Sequence, residues 1–148
     1  RLMAGVYASR GLSALVFRGA NTGLDELTTT DANQIWLVSG GAVVETEFDA
    51  RESLGMASAS IEDLAGGEAA ENAAVARDVL SGGGADAVRD AVALNVGAGI
   101  LAWEGLENPV TRSDFEPRMR GAVERALAAL ADGSGARLIE RWVAASNA

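Results

Sequence analysis

The chain contains no cysteine, no histidine and no lysine, so its 12 basic residues are all arginines. Within these residues, a thiol nucleophile, a Ser–His pair, a Schiff-base lysine and a zinc site of Cys or His ligands are excluded. A metal bound here needs oxygen ligands, which favours a hard cation, Mg²⁺ or Mn²⁺ first. The same bias is typical of a GC-rich genome, which explains it without reference to function.

Aromatic residues are scarce, at 5% of the chain, whereas alanine alone accounts for 30 of the 148 residues. This composition is typical of a helix-rich globular protein and not of a β-sandwich. The length fits one domain, two at most. The net charge of −9 argues against duplex DNA or an anionic membrane as a partner, because a negative field repels phosphate groups.

No long hydrophobic run is present. The longest uncharged apolar run, 91–103, has 13 residues, whereas a membrane-spanning helix needs about 20. The amino-terminal segment Leu2–Ser9 predicts a short helix closed by Gly11. Since the chain starts at Arg1 with neither an N-cap nor an initiator Met, we expect it to be part of a longer chain.

The first half of the sequence predicts strands. The apolar run Ser13–Phe17 is typical of a strand buried on both faces, as in a parallel sheet. Two β-prone runs, Gln34–Val38 and Ala42–Phe48, flank a pair of glycines and predict a hairpin. The glutamates of the second run alternate with apolar residues, so one face of the hairpin is expected to be solvated.

The second half predicts helices. Ser60 with Asp63 caps a short turn, and Ser113 with Glu116 forms a capping box. Longer helices are predicted over 69–80, 85–106, 113–130 and from residue 134 onward. One buried strand, a hairpin and four to five helices indicate an α+β fold or the second half of an α/β domain. A lone strand cannot form a parallel sheet, which again predicts missing upstream sequence.

The long helix over 85–106 has apolar residues at helical spacing, which predicts its packed face. That face comprises Val88, Val92, Asn95, Val96, Gly99, Ile100 and Trp103. Gly97 and Gly99 permit close packing of a neighbouring helix. Trp103 and Trp142 are interpreted as core or helix-contact residues.

The candidate site is the adjacent pair Asp25 and Glu26, in a Gly-flanked loop just beyond the first strand. Ligands bind at the carboxyl ends of strands in open α/β sheets. Two convergent carboxylates repel each other, so a divalent cation is their natural partner. The threonines at 28–30 are candidates for binding phosphate or water. The alternative is an ordinary solvated acidic pair in a polar loop.

Other candidates are weaker. The glycines at 82–84 lack a following Lys and are interpreted as a helix C-cap turn. Asn95 either touches a ligand or bonds to buried backbone, and the second is the commoner role. Glu45 and Glu47 are interpreted as a solvated strand face. Arg118, Arg120 and Arg125 are interpreted as a solvated helix face and not as a nucleic-acid groove.

Several blocks occur in an order that resembles anthranilate phosphoribosyltransferase. Particularly specific are Gly-Leu-Asp-Glu, Leu-Ala-Gly-Gly and Glu-Asn-Ala at these separations. The likeness covers essentially the whole chain. The matching blocks are residues 14–19, 23–30, 61–73, 89–95 and 138–143.

The resemblance implies an α/β fold of the nucleoside phosphorylase/phosphoribosyltransferase type, of which residues 1–148 form the C-terminal part. It implies transfer of a phosphoribosyl group from phosphoribosyl pyrophosphate to anthranilate in tryptophan biosynthesis. It also implies a Mg²⁺-dependent, cytoplasmic homodimer. By motif match, Asp25 and Glu26 correspond to the carboxylates that hold Mg²⁺ on the pyrophosphate. No residue of this chain is then required as a nucleophile or acid–base catalyst.

The sequence departs from the family pattern in two ways. The N-terminal helical domain, the Gly-Thr-Gly-Gly-Asp pyrophosphate loop and the Lys-His-Gly-Asn-Arg segment are absent from these residues. In addition, Arg18 stands where the family commonly has His. The first departure predicts that this chain alone is inactive, and keeps open a non-catalytic remnant or assembly module. The second keeps open a paralogue that uses another aromatic acceptor, although drift at a loop edge explains it equally simply.

Overall fold

The protein was analysed as a computed structural model, which describes residues 1–147. It contains one three-stranded antiparallel sheet and six α-helices, together with a short 3₁₀ turn over Glu62–Leu64. The strands are β1 (Ala14–Gly19), β2 (Asn33–Ser39) and β3 (Ala42–Phe48). The helices are α1 (Leu2–Ser9), α2 (Ala50–Leu54), α3 (Ala69–Leu80), α4 (Asp86–Glu104), α5 (Phe115–Ala131) and α6 (Ser134–Ser146). The predicted α/β class is confirmed.

The sheet has the order β1-β2-β3, with Ala14 opposite Val38 in one pair and Ser39 opposite Ala42 in the other. The hairpin is therefore confirmed, and Gly40 and Gly41 both have the positive φ that its turn requires. The expectation for the first strand was wrong. β1 is half-buried, pairs antiparallel with β2 and lies at the edge of the described sheet.

The central strand β2 is the one buried on both faces. Its side chains alternate, so Ile35 and Leu37 enter the main core on one face. Trp36 and Val38 pack on the other face beneath α1, where Ala4 completes a smaller core. Successive side chains of a strand point to opposite faces of the sheet, and here each face of β2 is covered by another layer.

The main core lies between β2, α4 and α5. The fully buried residues of α4 lie on a different face from the predicted one, although Val88, Val92 and Ile100 of the predicted face also pack, partly buried, against this core. The buried residues of α4 are Ala93, Leu94, Gly97, Ala98 and Leu101. The helix is apolar on several sides, so hydrophobic spacing alone selects the wrong face.

The helix boundaries agree closely with the predictions in most places. α3 spans the predicted residues, and its N-cap Glu68 forms a capping box with Glu71. The predicted capping box at Ser113 is wrong. α5 begins one residue later, after Asp114, whose side chain instead accepts from the Thr111 amide at 2.7 Å.

The two exposed tryptophans also differ from expectation. Trp103 is 76% exposed and Trp142 is 67% exposed, so neither is a core residue. α6 has no buried residue and contacts α3 through its first turn, where Gly135 lies against Leu80. Among the described residues, no helix is both long enough and apolar enough to cross a membrane.

Candidate functional site

Asp25 and Glu26 lie in the loop that connects β1 to β2, and both side chains are exposed. The residue after them, Leu27, is fully buried in the main core. On the other side, the Gly19 amide donates to the Leu24 carbonyl at 2.7 Å, which closes the turn. The carboxylates therefore stand on a short exposed segment that is held at both ends.

Asn95 of α4 holds the far end of this segment. Its Nδ2 donates to the Leu27 carbonyl at 2.9 Å, and its Oδ1 accepts from the Leu27 amide at 3.1 Å. A third bond runs from Nδ2 to the carbonyl of Ala91, one turn earlier in α4. The commoner of the two predicted roles for Asn95, bonding to backbone, is the one observed.

Asn33, the first residue of β2, makes the same two-way contact with the next residue of the loop. Its Oδ1 accepts from the Thr28 amide at 3.2 Å and its Nδ2 donates to the Thr28 carbonyl at 3.0 Å. Asn33 is fully buried, so its amide satisfies backbone groups that water cannot reach. The loop is thus fixed to both the sheet and α4.

Asp31 holds the first half of the loop. Its carboxylate accepts from the amides of Asn21 at 2.6 Å and Thr22 at 3.0 Å, and from the Thr22 hydroxyl. Burial alone would raise the pKa of Asp31. The hydrogen bonds from Thr22 and Asn21 outweigh burial and hold that pKa below its usual value of 3.8.

The threonines after the acidic pair are largely internal, although Thr28 also borders a cavity next to Glu26. Thr28 and Thr29 are each 2% exposed. The Thr28 and Thr30 hydroxyls bond to each other at 2.7 Å. The Thr28 and Thr30 hydroxyls are thus engaged within the loop, and the binding of phosphate or water by residues 28–30 stays a prediction.

A cavity of about 710 Å³ opens beside the acidic pair. Glu26 and Asn95 contribute polar groups, and most of the remaining lining is apolar. The other lining residues are Leu24, Thr28, Ile61, Leu64, Ala65, Val88, Ala91, Val92 and Val96. The predicted packed face of α4 thus borders this cavity, while the opposite side of the helix fills the core.

Mg²⁺ takes oxygen ligands, which Asp25 and Glu26 can supply through their carboxylates. Within residues 1–147, no group of three or more acidic side chains lies close enough to hold a metal ion. Asp25 and Glu26 offer two carboxylates, and Mg²⁺ is commonly bound through one or two carboxylates together with water and substrate phosphates. The residues therefore fit a Mg²⁺ ion shared with a phosphate ligand, and not an ion held by the protein alone.

The other predicted polar residues lie away from this loop or have structural partners. Arg18 is exposed on β1 and its Nε donates to Gln34 at 3.2 Å, on the neighbouring strand. Glu45 accepts from the Trp36 indole at 3.1 Å. Arg125 pairs with Glu104 at 2.5 Å on the surface.

The remaining two arginines of α5 bind backbone carbonyls. Arg118 donates to Asn108, and Arg120 donates to Ser53. The solvated-face interpretation therefore holds for the exposed Arg120 and Arg125, whereas Arg118 is half-buried. The glycines at 82–84 form the predicted turn between α3 and α4, with positive φ at Gly82 and Gly84.

Two residues of the site were not identified from the sequence: Asp31 and Asn33. Both follow the threonine run in a polar segment, where nothing distinguishes them from solvated loop residues. Their partners lie two to fifteen positions away, and their role follows only from burial.

Comparison with known sequences gives consistent matches. A family model described as "Glycosyl transferase family, a/b domain" matches residues 2–136. An anthranilate phosphoribosyltransferase from an Arthrobacter species is 47% identical over 143 residues, which is 97% of this chain and 39% of that protein. One from Nocardia farcinica is 45% identical, over 99% of this chain and 42% of that protein. The chain thus spans about 40% of the length of the curated relatives it matches.

Comparison with solved structures agrees. The crystal structure of anthranilate phosphoribosyltransferase from Thermus thermophilus superposes with a TM-score of 0.79 at 34% identity, covering 99% of this chain and 39% of that one. The Saccharomyces cerevisiae enzyme in complex with PRPP and Mg has a TM-score of 0.69 at 17% identity, covering 86% and 33%. The yeast likeness supports the fold alone.

Proposed function

The chain belongs to the glycosyl transferase family of α/β domains, and from this premise we propose that its parent protein transfers a phosphoribosyl group from phosphoribosyl pyrophosphate to anthranilate, in tryptophan biosynthesis. The observation that carries the proposal is the 47% identity with an anthranilate phosphoribosyltransferase across 97% of the chain. The anchored loop with Asp25 and Glu26 supplies the chemistry that such a transfer needs.

In this proposal Asp25 and Glu26 hold Mg²⁺ on the pyrophosphate of the donor. When bound, the ion offsets the negative charge that grows on the departing pyrophosphate. The two carboxylates alone would repel that group, so they serve the reaction only as ligands of a cation. Asp31, Asn33 and Asn95 contribute by fixing the loop.

The rest of the site is proposed to lie on the remaining part of the parent chain, of which residues 1–148 form the C-terminal part of the α/β domain. That remainder would carry the helical domain, the pyrophosphate loop and the contacts to anthranilate. We expect this chain alone to be inactive and to bind phosphoribosyl pyrophosphate weakly or not at all. We further propose that the parent is a cytoplasmic homodimer, on the family resemblance alone.

The test is the Mg²⁺ dependence of the parent enzyme. Replacing both Asp25 and Glu26 by Ala should raise the Mg²⁺ concentration for half-maximal activity by about tenfold or more and reduce turnover. A matched control removes two exposed carboxylates elsewhere, Glu47→Ala with Glu140→Ala, and should leave the Mg²⁺ dependence unchanged. An unchanged Mg²⁺ dependence in the Asp25/Glu26 variant would refute the site assignment.

The acceptor is tested separately. Turnover with anthranilate should exceed turnover with the meta and para isomers of aminobenzoate. Comparable use of an isomer would favour the paralogue that acts on another aromatic acid. Absence of turnover with all three, in a folded parent protein, would favour a non-catalytic module.

A further inference from the structure

Asn95 joins the long helix α4 to the loop that carries the acidic pair. We propose that Asn95 is the positioning residue of the Asp25–Glu26 metal site: its amide sets where the two carboxylates stand relative to α4. This inference rests on the proposed function, and it assigns to Asn95 a role in metal affinity beyond holding the fold.

The geometry uses the whole amide group. Oδ1 accepts from the Leu27 amide at 3.1 Å, while the two hydrogens of Nδ2 go to the carbonyls of Leu27 at 2.9 Å and Ala91 at 2.8 Å. Rotating the amide by 180° would bring the NH₂ against an N–H and the oxygen against two carbonyls. Only one orientation is therefore satisfied, and it dictates the position of the Leu27 peptide groups.

Asn95 contacts the backbone of the residue next to the acidic pair. Leu27 directly follows Glu26, and its side chain is fully buried while Glu26 is exposed. Movement of the backbone at Glu26 relative to α4 therefore strains the Asn95 bonds or the burial of Leu27. The bond to Ala91 ties the Asn95 side chain to its own helix, whose core face is packed against α5.

The location of Asn95 also separates it from ordinary core residues. It lies on the side of α4 that borders the cavity, together with Glu26. Residues that maintain the core, such as Leu94 and Ala98, are buried and do not line the cavity. A ligand group held within about 0.5 Å of its productive position gains affinity from such support, and outer contacts of this kind commonly change metal affinity by about 10–100-fold.

The chain offers a matched control. Asn72 of α3 makes the same two-way contact with one residue, accepting from the Gly67 amide at 2.9 Å and donating to the Gly67 carbonyl at 2.8 Å. That loop carries neither member of the acidic pair. Asn95→Leu and Asn72→Leu therefore remove the same pair of backbone contacts at two different loops, and Asn95→Leu also removes the bond to Ala91.

The experiment measures Mn²⁺ binding to the parent protein with inorganic pyrophosphate, by the electron paramagnetic resonance signal of free Mn²⁺. We expect Asn95→Leu to weaken Mn²⁺ binding by about tenfold or more, and Asn72→Leu to leave it unchanged. Asn95→Ala removes the same three bonds at a position where Ala favours the helix, so its effect should match that of Asn95→Leu. It also replaces Asn95→Leu if the latter does not fold.

Hydrogen exchange of the same variants reports the loop without any metal. Asn95→Leu should speed exchange of the amides in residues 20–31, whereas Asn72→Leu should not. Faster exchange with unchanged Mn²⁺ affinity would make Asn95 purely structural and overturn the inference. A Mn²⁺ effect as large in Asn72→Leu as in Asn95→Leu would overturn it as well.

The Asp25→Ala/Glu26→Ala variant, measured in parallel, separates this inference from the proposed function. If that variant weakens Mn²⁺ binding and Asn95→Leu does not, only the role of Asn95 fails. If neither variant changes Mn²⁺ binding, the metal site itself fails, and the role of Asn95 fails with it.

Discussion

Gly97 of α4 lies directly against Val123 of α5. A Cβ at residue 97 would approach the Val123 Cγ2 to 2.8 Å and its backbone nitrogen to 3.2 Å. The absence of a side chain at Gly97 is therefore what allows the two longest helices to pack this closely. A Cβ added at Gly99, two residues on, would meet no atom within 4 Å.

The first prediction uses this pair of glycines. Gly97→Ala should lower the free energy of unfolding by about 1–2 kcal/mol, because overpacking against backbone atoms outweighs the gain of about 1 kcal/mol in helix propensity. Gly99→Ala, in the same helix, should raise it by up to about 1 kcal/mol. Urea unfolding of both variants checks this, and equal effects would contradict the packing account.

The second prediction concerns Phe48 and Phe115. Their rings meet edge to face with centroids 5.4 Å apart and join the end of β3 to the start of α5. Phe115→Ala should cost about 3–5 kcal/mol of unfolding free energy, and Phe115→Leu should cost less. Leu138→Ala, at an exposed position of α6, should change it by less than about 0.5 kcal/mol and serves as the control. A Phe115→Ala variant as stable as that control would refute the assigned core.

The third prediction is a pH dependence that originates at Asp31. Because its pKa is lower in the folded protein than the usual 3.8, the ionised carboxylate stabilises the fold above that value. That contribution should be fully present at neutral pH and be lost as the pH falls below 3.8 through the folded pKa. Asp31→Asn should therefore be less stable at pH 7, with a deficit that shrinks in acid.

Unfolding free energies of both proteins between pH 7 and pH 3 test this. The comparison is needed because Asp49 also has a lowered pKa, chiefly through hydrogen bonds from the Arg51 side chain. That contribution is common to both proteins and cancels in the difference. A deficit that stays constant throughout the acid range would contradict the role assigned to Asp31.

The fourth prediction follows from the tryptophans. Trp36 is 7% exposed, whereas Trp103 and Trp142 are mostly in solvent. Acrylamide should therefore quench most of the emission from the last two and little from Trp36. The double variant Trp103→Phe/Trp142→Phe should retain a blue-shifted, poorly quenched emission. Trp36→Phe should instead show a red-shifted, strongly quenched emission. Protected emission in Trp36→Phe would mean that α6 or the end of α4 is covered in solution.

The elements were largely predictable from local sequence. The hairpin follows from two β-prone runs around a pair of glycines, and α3 follows from its apolar spacing and the glycines after it. Each signal depends on residues a few positions apart, which interact in any context. The acidic pair and the blocks around it likewise identified the family without any coordinates.

The tertiary structure decided which surfaces meet. α4 is apolar on several sides, so only its packing against α5 and the sheet shows that Leu94 and Gly97 are buried while Val96 faces the cavity. The prediction for β1 failed because an apolar run reveals neither the direction of the partner strand nor how fully the two faces of the strand are covered.

The support of the site also needed the fold. Asn95 and Leu27 are 68 residues apart, and no local pattern predicts that the Asn95 side chain will bond to the Leu27 backbone. From residue type and near neighbours, the sequence identified the family and the hairpin turn and singled out Asp25 and Glu26 as the candidate metal ligands. Only the tertiary structure determined how the carboxylates are held, because that depends on contacts between distant segments whose backbone groups must be satisfied once buried.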